Sequence, residues 1–251
     1  MDLNGKVAFV TGGSGDIGRA IAEALAASGA DVAVSYLGEA DRAAAVVEAV
    51  RRAGRQGHAV QFDQRDPQSI DLCLEKVMGH FGRIDILVNN AAWNIGIPFA
   101  DLEVLTPEIW DRVHETNLRG PFLLSRLFAS ELRRHKAGRI INIASLAGLA
   151  PVGSSIAYAA SKAGLIHLTH CMAVALAPDV TVNCIAPGLV EGTRMAERLP
   201  EAMKQLARTQ AVLGRSGSPD DIAQIAVAYC RADSVTGQTV VVDGGNPLGM
   251  H

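Results

Sequence analysis

Lys6-Val-Ala-Phe-Val-Thr-Gly-Gly-Ser-Gly-Asp-Ile-Gly18 joins a short β-rich run to a glycine-rich turn. Residues 19–28 then repeat Ala, Ile and Leu at helical spacing until Gly29 stops them. Asp31-Val-Ala-Val-Ser-Tyr36 reads as a second strand, so the N-terminal stretch is a βαβ unit of roughly 30 residues. Gly13-x-Gly15-x-x-Gly18 matches the dinucleotide fingerprint in its proper context, a strand before it and a helix after it. Glycine lets the backbone turn tightly and approach a ligand closely, and the helix N-terminus offers unpaired N–H groups to a pyrophosphate.

The alternation continues outward from that unit. Residues 39–53 read as a helix ended by Gly54, 58–62 as a strand with Asp63 at its carboxyl end, and Pro67 opens a helix to about 81. Residues 84–88 form an apolar strand running into Asn89-Asn-Ala-Ala92. Thr106-Pro107 predicts an N-cap followed by proline at the first helical position. Helices at 121–136, about 156–177 and from Pro219 alternate with strands at 139–144, 180–185 and 239–242, and 193–210 is irregular to helical. These elements predict an α/β fold: one Rossmann-type doubly wound, seven-stranded parallel sheet with helices on both faces, in a single domain over 1–251. Ligands on such a sheet sit at the carboxyl ends of the strands, where the strand order reverses.

Composition narrows the function classes. The chain has 251 residues, 49% apolar and 20% charged, which suits a globular protein with a sizeable core. A net charge of −3 argues against a general nucleic-acid or anionic-membrane binder. No uncharged apolar run is long enough to cross a bilayer and no leader peptide is expected, so a cytoplasmic protein is expected. Cys73, Cys171, Cys184 and Cys230 form no Cys-x-x-Cys, and His167 and His170 have no accompanying carboxylate or thiol in sequence. Neither a disulfide framework nor a metal site is expected.

Tyr158-Ala-Ala-Ser-Lys162 carries the chemistry. On a helix its phenol and ammonium share one face, one turn apart. A nearby cation favours a phenolate, so Lys162 is expected to pull the Tyr158 pKa below its usual value of about 10 and suit it to proton transfer.

Taken together, Thr11-Gly12 with Gly18, Asp63, Asn89-Asn-Ala, Asn117, Ser145, Tyr158-x-x-x-Lys162, Asn183, Pro187-Gly188 and Val242-Asp-Gly-Gly245 resemble the short-chain dehydrogenase/reductase family over nearly the whole chain. Members acting as 3-oxoacyl-carrier-protein reductases are among those it resembles. The resemblance implies that Tyr158 is the general acid in carbonyl reduction and the base in alcohol oxidation. Lys162 would tune it and bond the nicotinamide ribose, Ser145 would hold the substrate oxygen, and Asn117 would anchor a water in the proton path. Gly12, Ser14, Asp16, Ile17 and Gly18 would form the phosphate loop, with Tyr36 at the end of the second strand. Asp63 and Gln64 would lie at the adenine, Asn89 and Ala91 on the adenosine ribose side, and Pro187, Gly188, Val190 and Thr193 at the nicotinamide.

Three positions depart from the family pattern. Asp16 stands where a glycine is usual, and its carboxylate must point away from a pyrophosphate or cap the helix start. Gly192 stands where a threonine usually follows Pro187-Gly188, with Thr193 one place later. The link from Tyr229 into the last strand is short.

The second strand ends in Ser35-Tyr36-Leu37, with neither an acid to select the ribose 2′-OH nor a base for a 2′-phosphate. Without an acid to repel the phosphate, NADP(H) is preferred over NAD(H). Arg42 is either within reach of that phosphate or a solvated helix residue. Substrate would meet Trp93, Asn94, Ser145, Ala147, Tyr158 and Leu189, under a loop or lid at about 188–212; Trp93 is either a pocket wall or ordinary packing. That lining is mostly apolar and suits a ketone or secondary alcohol with a hydrophobic body. The Ala-rich face of the 156–177 helix would pack on a second copy, giving a homodimer or homotetramer. The basic run Arg133-Arg-His-Lys136 either meets an acidic carrier protein or is a solvated helix end. Two rivals stand beside the ketone/alcohol oxidoreductase: a 3-oxoacyl-carrier-protein reductase, and a nucleotide-binding regulator without catalysis.

Overall fold

The computed structural model describes residues 1–249. In chain order its elements are β1 Val7–Val10, α1 Asp16–Ala27, β2 Asp31–Tyr36, α2 Ala40–Arg52, β3 Gly57–Gln61, α3 Pro67–Phe81 and β4 Ile86–Asn89. There follow α4 Pro107–His114, α5 Gly120–Arg133, β5 Gly138–Ile143, α6 Ile156–Leu176, β6 Val180–Pro187, α7 Arg194–Glu197, α8 Glu201–Gln210, α9 Pro219–Arg231 and β7 Thr239–Val242. The strands form one seven-stranded sheet in the order β3-β2-β1-β4-β5-β6-β7, and every pairing is parallel. The order reverses between β1 and β4, which sets the crevice at their carboxyl ends.

Alternation along β1 sends Ala8 and Val10 into a core under α1, α2 and α9, and Phe9 into the core under α3 and α5. Phe9 stacks on Phe128 of α5 at 5.6 Å between centroids and lies tilted against Phe62 at 6.0 Å. Each face of the sheet is thus sealed by its own helices, and the strand ends are the remaining exit for polar chemistry.

Several boundaries differ from expectation. Helix α1 begins at Asp16 rather than after Gly18, because the Arg19 N–H already bonds the Gly15 carbonyl at 2.8 Å. Strand β4 begins at Ile86: Asp85 takes the Val7 N–H on its carboxylate at 2.9 Å and pairs with Arg83. Strand β6 continues to Pro187, where Gly188 N–H bonds the Val242 carbonyl at 3.0 Å and extends the ladder with β7. Between α4 and α5, residues Glu115–Arg119 form a π-helical turn that the periodicity did not mark, closed by the Gly120 N–H on the Glu115 carbonyl. The short link after α9 is hydrogen-bonded to β6, with the Gly237 N–H on the Val182 carbonyl at 2.7 Å. Buried Asn183 donates to the Val235 carbonyl at 2.8 Å and accepts from the Gln238 N–H at 3.0 Å, pinning the link to β6.

Candidate active site

The phosphate loop follows β1. Gly12 takes a left-handed φ of 62°, a conformation that glycine adopts without penalty, and its N–H bonds the buried Ser35 hydroxyl at 2.9 Å. A Cβ on Gly18 would come within 2.5 Å of the Gly12 carbonyl oxygen and 2.6 Å of the Asn90 amide, so the helix seats directly on the loop. Asn90 holds that seat from the other side: its Nδ2 donates to the Thr11 and Gly12 carbonyls, and its N–H donates to the Thr11 hydroxyl. The N-cap of α1 is Gly15, which makes no side-chain cap. The N–H groups of the first turn therefore face the crevice without a side-chain partner, the donor set that a pyrophosphate needs. The residues present fit a dinucleotide.

Asp16 does not cap the helix. Its carboxylate turns outward, accepting from the Arg42 guanidinium at 2.8 Å and from the Arg194 N–H at 2.8 Å. Burial raises its pKa, but the Arg194 N–H and then Arg42 outweigh that and hold it below the usual carboxylate range. Arg42 is therefore paired with Asp16, its side chain still partly exposed.

Other expected cofactor residues are placed differently from one another. Ser14 is buried, and Ile17 and Tyr36 pack against the core beneath α1. Asp63 accepts from the Arg65 guanidinium at 2.6 Å, and that hydrogen bond, over the opposing cost of burial, keeps its carboxyl below the ordinary range. The Gln64 side chain points inward, donating to the Ala91 carbonyl at 3.0 Å and the Thr116 carbonyl at 2.6 Å, so it braces the crevice wall. Asn89 is 2% exposed and donates to Ser125 and to Asn142, which in turn donates to Thr169 of α6. Its Nδ2 is engaged in this buried brace, while its Oδ1 is buried without a hydrogen-bond partner. The Thr193 hydroxyl donates to the Val190 carbonyl at 2.8 Å and accepts from the Ala196 N–H at 3.2 Å, so it caps α7. Pro187 and Val190 are buried, and Gly188 and Leu189 line the lid's base half-exposed.

The proton-transfer set is assembled by three elements. Buried Ser155 caps α6 by accepting the Tyr158 N–H at 3.2 Å, which puts Tyr158 in the helix's first turn. Ser145 follows β5 and opens a tight turn at Leu146–Gly148, where its hydroxyl accepts the Ala147 N–H at 3.2 Å. That turn lies against α6 so closely that a Cβ on Gly148 would sit 2.7 Å from the Lys162 carbonyl carbon. Asn117, fully buried, stands in the π-helical turn. Its side chain accepts the Trp93 N–H at 2.8 Å, donates to the Trp93 carbonyl at 2.9 Å, and donates to Ser161 at 3.2 Å. One amide thus ties the loop after β4 to α6, and the widened turn is what turns it inward.

The electrostatics reverse one expectation. Lys162, 2% exposed, lowers into the space behind Tyr158 and donates to the Ile143 carbonyl at 2.8 Å, its Nζ 5.6 Å from the phenol ring centre. Burial pushes its pKa down to about 8. The Tyr158 phenol, expected to fall, is raised: desolvation outweighs the opposing hydrogen bond with Ser145. Spacing alone predicts attraction between charges; both groups in fact share a site that disfavours charge on either.

On the substrate side, Trp93 lies half-buried with the Arg112 guanidinium 4.1 Å over its ring. Asn94 reaches the Met195 sulfur of the lid at 3.7 Å, whereas Ala147 is buried. Among the described residues no group of three or more His, Cys, Asp or Glu side chains is arranged to hold a metal, and no helix is long and apolar enough to cross a membrane. The braces made by Asn90, Asn142 and Gln64 escaped the sequence reading; a polar side chain inside an otherwise apolar strand end was their one signal.

A family model described as short chain dehydrogenase matches residues 6–204. The chain is 37% identical to the 3-oxoacyl-[acyl-carrier-protein] reductase FabG of Aquifex aeolicus, over 98% of each chain. It is 39% identical to the FabG of Escherichia coli, again over 98% of each. Among solved structures, a short chain dehydrogenase from Burkholderia cenocepacia in complex with NADP superposes with a TM-score of 0.90 at 35% identity, covering 98% of this chain and 100% of that one. A 3-ketoacyl-(acyl-carrier-protein) reductase from Brucella melitensis complexed with NADH superposes with a TM-score of 0.88 at 31% identity, covering 97% and 99%. With this fold, this crevice and these relatives, the chain belongs to the short-chain dehydrogenase/reductase family and is an NAD(P)-dependent oxidoreductase acting between ketone and alcohol.

Proposed function

We propose that Tyr158 is the proton donor and acceptor of this reaction, with Ser145, Lys162 and Asn117 as its partners. The observation that carries this reading is the burial of Lys162 behind Tyr158, its Nζ 5.6 Å from the phenol ring centre, with Ser145 at the turn packed against the same helix. When bound, NAD(P)(H) supplies the hydride to the carbonyl carbon. The Ser145 hydroxyl donates to the carbonyl oxygen and orients it. As that oxygen gains charge, the Tyr158 O–H delivers the proton, giving the alcohol and a phenolate. A phenol held neutral by its surroundings is the correct form for that step, and a protonated Lys162 stabilises the phenolate that remains. Asn117 holds the loop after β4 and α6 in register, so the group that refills the proton keeps a fixed wall beside it. In the oxidative direction the same groups act in reverse.

The α1 N-terminus with Gly12, Ser14 and Gly18 would cradle the pyrophosphate, and Lys162 would bond the nicotinamide ribose. Gln64, Asn89 and Thr193 would take part through their backbone, since their side chains are engaged elsewhere. NADP(H) is the preferred cofactor because no acid ends β2 to repel a 2′-phosphate, and Arg42 stands on the first turn of α2. That phosphate would have to draw Arg42 from Asp16.

A 3-oxoacyl thioester on a carrier protein is the substrate favoured by the names of the relatives. Exposed Arg133 and Arg134 at the end of α5 are the candidate contact with an acidic carrier. One domain acting in the cytoplasm is the organisation we propose, with a lid at 188–212. Pairing of copies is proposed through α6, whose Ala160, His167 and Val174 face outward beside a groove of about 690 Å³ shared with α4 and α5.

The test is oxidation of NADPH and NADH followed over a panel of ketones, sugars, steroids and acetoacetyl thioesters. NADPH should turn over faster than NADH, and acetoacetyl-carrier protein should be reduced with a KM raised at least tenfold by Arg133→Glu with Arg134→Glu. A protein that binds either cofactor yet reduces nothing on the panel would make the regulator reading the better one.

A further inference from the structure

We infer that Asp16 is a positioning residue that clasps the lid to the phosphate loop and so governs how long the cofactor stays bound. The inference rests on the reading that the crevice takes NAD(P)(H), and goes beyond it to a residue at which this chain departs from its family's pattern.

The geometry joins three separate parts of the molecule at one carboxylate. Asp16 is the first residue of α1, immediately after the loop whose N–H groups face the crevice. One of its oxygens accepts from Arg42, on the first turn of α2, at 2.8 Å. The other accepts the backbone N–H of Arg194, the first residue of α7 in the lid, at 2.8 Å. The Arg194 guanidinium comes within 3.7 Å of the same carboxylate and is anchored on Glu39 at 2.6 Å, just before α2. The four charged groups cancel, so the cluster closes without a stray charge beside the phosphate loop.

The lid has few other fastenings on this side. Beyond the contact of Asn94 with the Met195 sulfur, α8 buries none of its residues, and Met195, Met203 and Leu206 are all more than half exposed. Its C-terminal end is held to the body by a separate set of bonds, Val212 and Leu213 N–H to the Gly245 and Gly244 carbonyls. Its start is tied by the Glu191 N–H to the Gly217 carbonyl at 3.0 Å, so the stretch free to lift is α7 and α8 between these two ties, and Asp16 with Glu39 holds its first turn. A charge-assisted hydrogen bond to a backbone N–H is also stronger than a neutral one. A glycine at this position would remove the bond that ties α7 to the phosphate loop and leave Arg194 on Glu39 alone.

The experiment compares the wild type with Asp16→Asn and Asp16→Gly. NADPH release is followed by fluorescence on displacement, at low and high salt, and hydrogen exchange of 190–212 is followed in the cofactor-free protein. The clasp predicts release about tenfold faster in both variants. It also predicts that salt accelerates release less in the variants than in the wild type, and faster exchange at 190–200 with α9 unchanged. The deuterium isotope effect on the hydride step should keep its intrinsic size, because the chemical groups are untouched. Unchanged release rates and unchanged lid exchange in both variants would overturn the clasp. If no form of the protein binds NADPH, the cofactor reading fails instead, and the exchange data still decide whether Asp16 holds the lid.

Discussion

At the scale of single residues, Lys162 is the most informative group. It has no carboxylate partner, its ammonium is met by the Ile143 carbonyl, and burial brings its pKa to about 8. An unfolded lysine keeps its proton to about 10.4. Between those values the unfolded chain binds more protons than the folded one, so this group makes stability rise with pH through that window. Lysine-selective NMR of the cofactor-free protein should find one Nζ titrating near pH 8; a chain in which every lysine titrates above 10 would contradict the burial account. The pairing of Tyr158 with Lys162 was legible in sequence because i, i+4 spacing on a helix is geometric. The sign of the effect on the phenol was not, because it depends on how much water the fold removes. Asn89 and Gln64 teach the same lesson. Their place at strand ends pointed to the crevice, but whether a side chain turns toward ligand or core is set by partners such as Asn142 and Thr116, distant in sequence.

At the scale of elements, the site depends on close seating of helices on loops. A methyl group on Gly18 would meet the Gly12 carbonyl oxygen at 2.5 Å, and a backbone oxygen cannot move aside cheaply. Gly18→Ala should therefore weaken NADPH binding by at least tenfold, seen in fluorescence titration, and cost about 1–3 kcal/mol in urea unfolding. Gly15→Ala is the milder comparison, since its Cβ would meet the same oxygen at 3.2 Å. Equal effects from the two would mean that the glycines matter for flexibility and not for space. The existence and type of the strands were readable from apolar runs closed by Gly, Asn or Asp. The π-helical turn at Glu115–Arg119 was not readable, because it is one short turn and no residue type within it marks the widening. Yet that turn is what brings Asn117 inward to Trp93 and Ser161.

At the scale of the whole molecule, the two cores on either face of the sheet make a rigid plate, and everything that reacts stands along one edge of it. The 188–212 segment meets that edge through polar contacts at its first helical turn, where Asp16 accepts the Arg194 N–H and Glu39 pairs with the Arg194 guanidinium. The alternation of strands and helices along the chain made the fold readable, whereas the clasp was not: Asp16 and Arg194 are 178 residues apart. We propose that the proton leaves this edge from Tyr158. Single-turnover reduction of a competent ketone by enzyme-bound NADPH, comparing wild type with Tyr158→Phe, tests it most directly. NADPH should bind both proteins with affinities within a factor of about three, while hydride transfer in the variant should slow by at least about a hundredfold. Hydride transfer at the wild-type rate in Tyr158→Phe would show that the proton comes from another group.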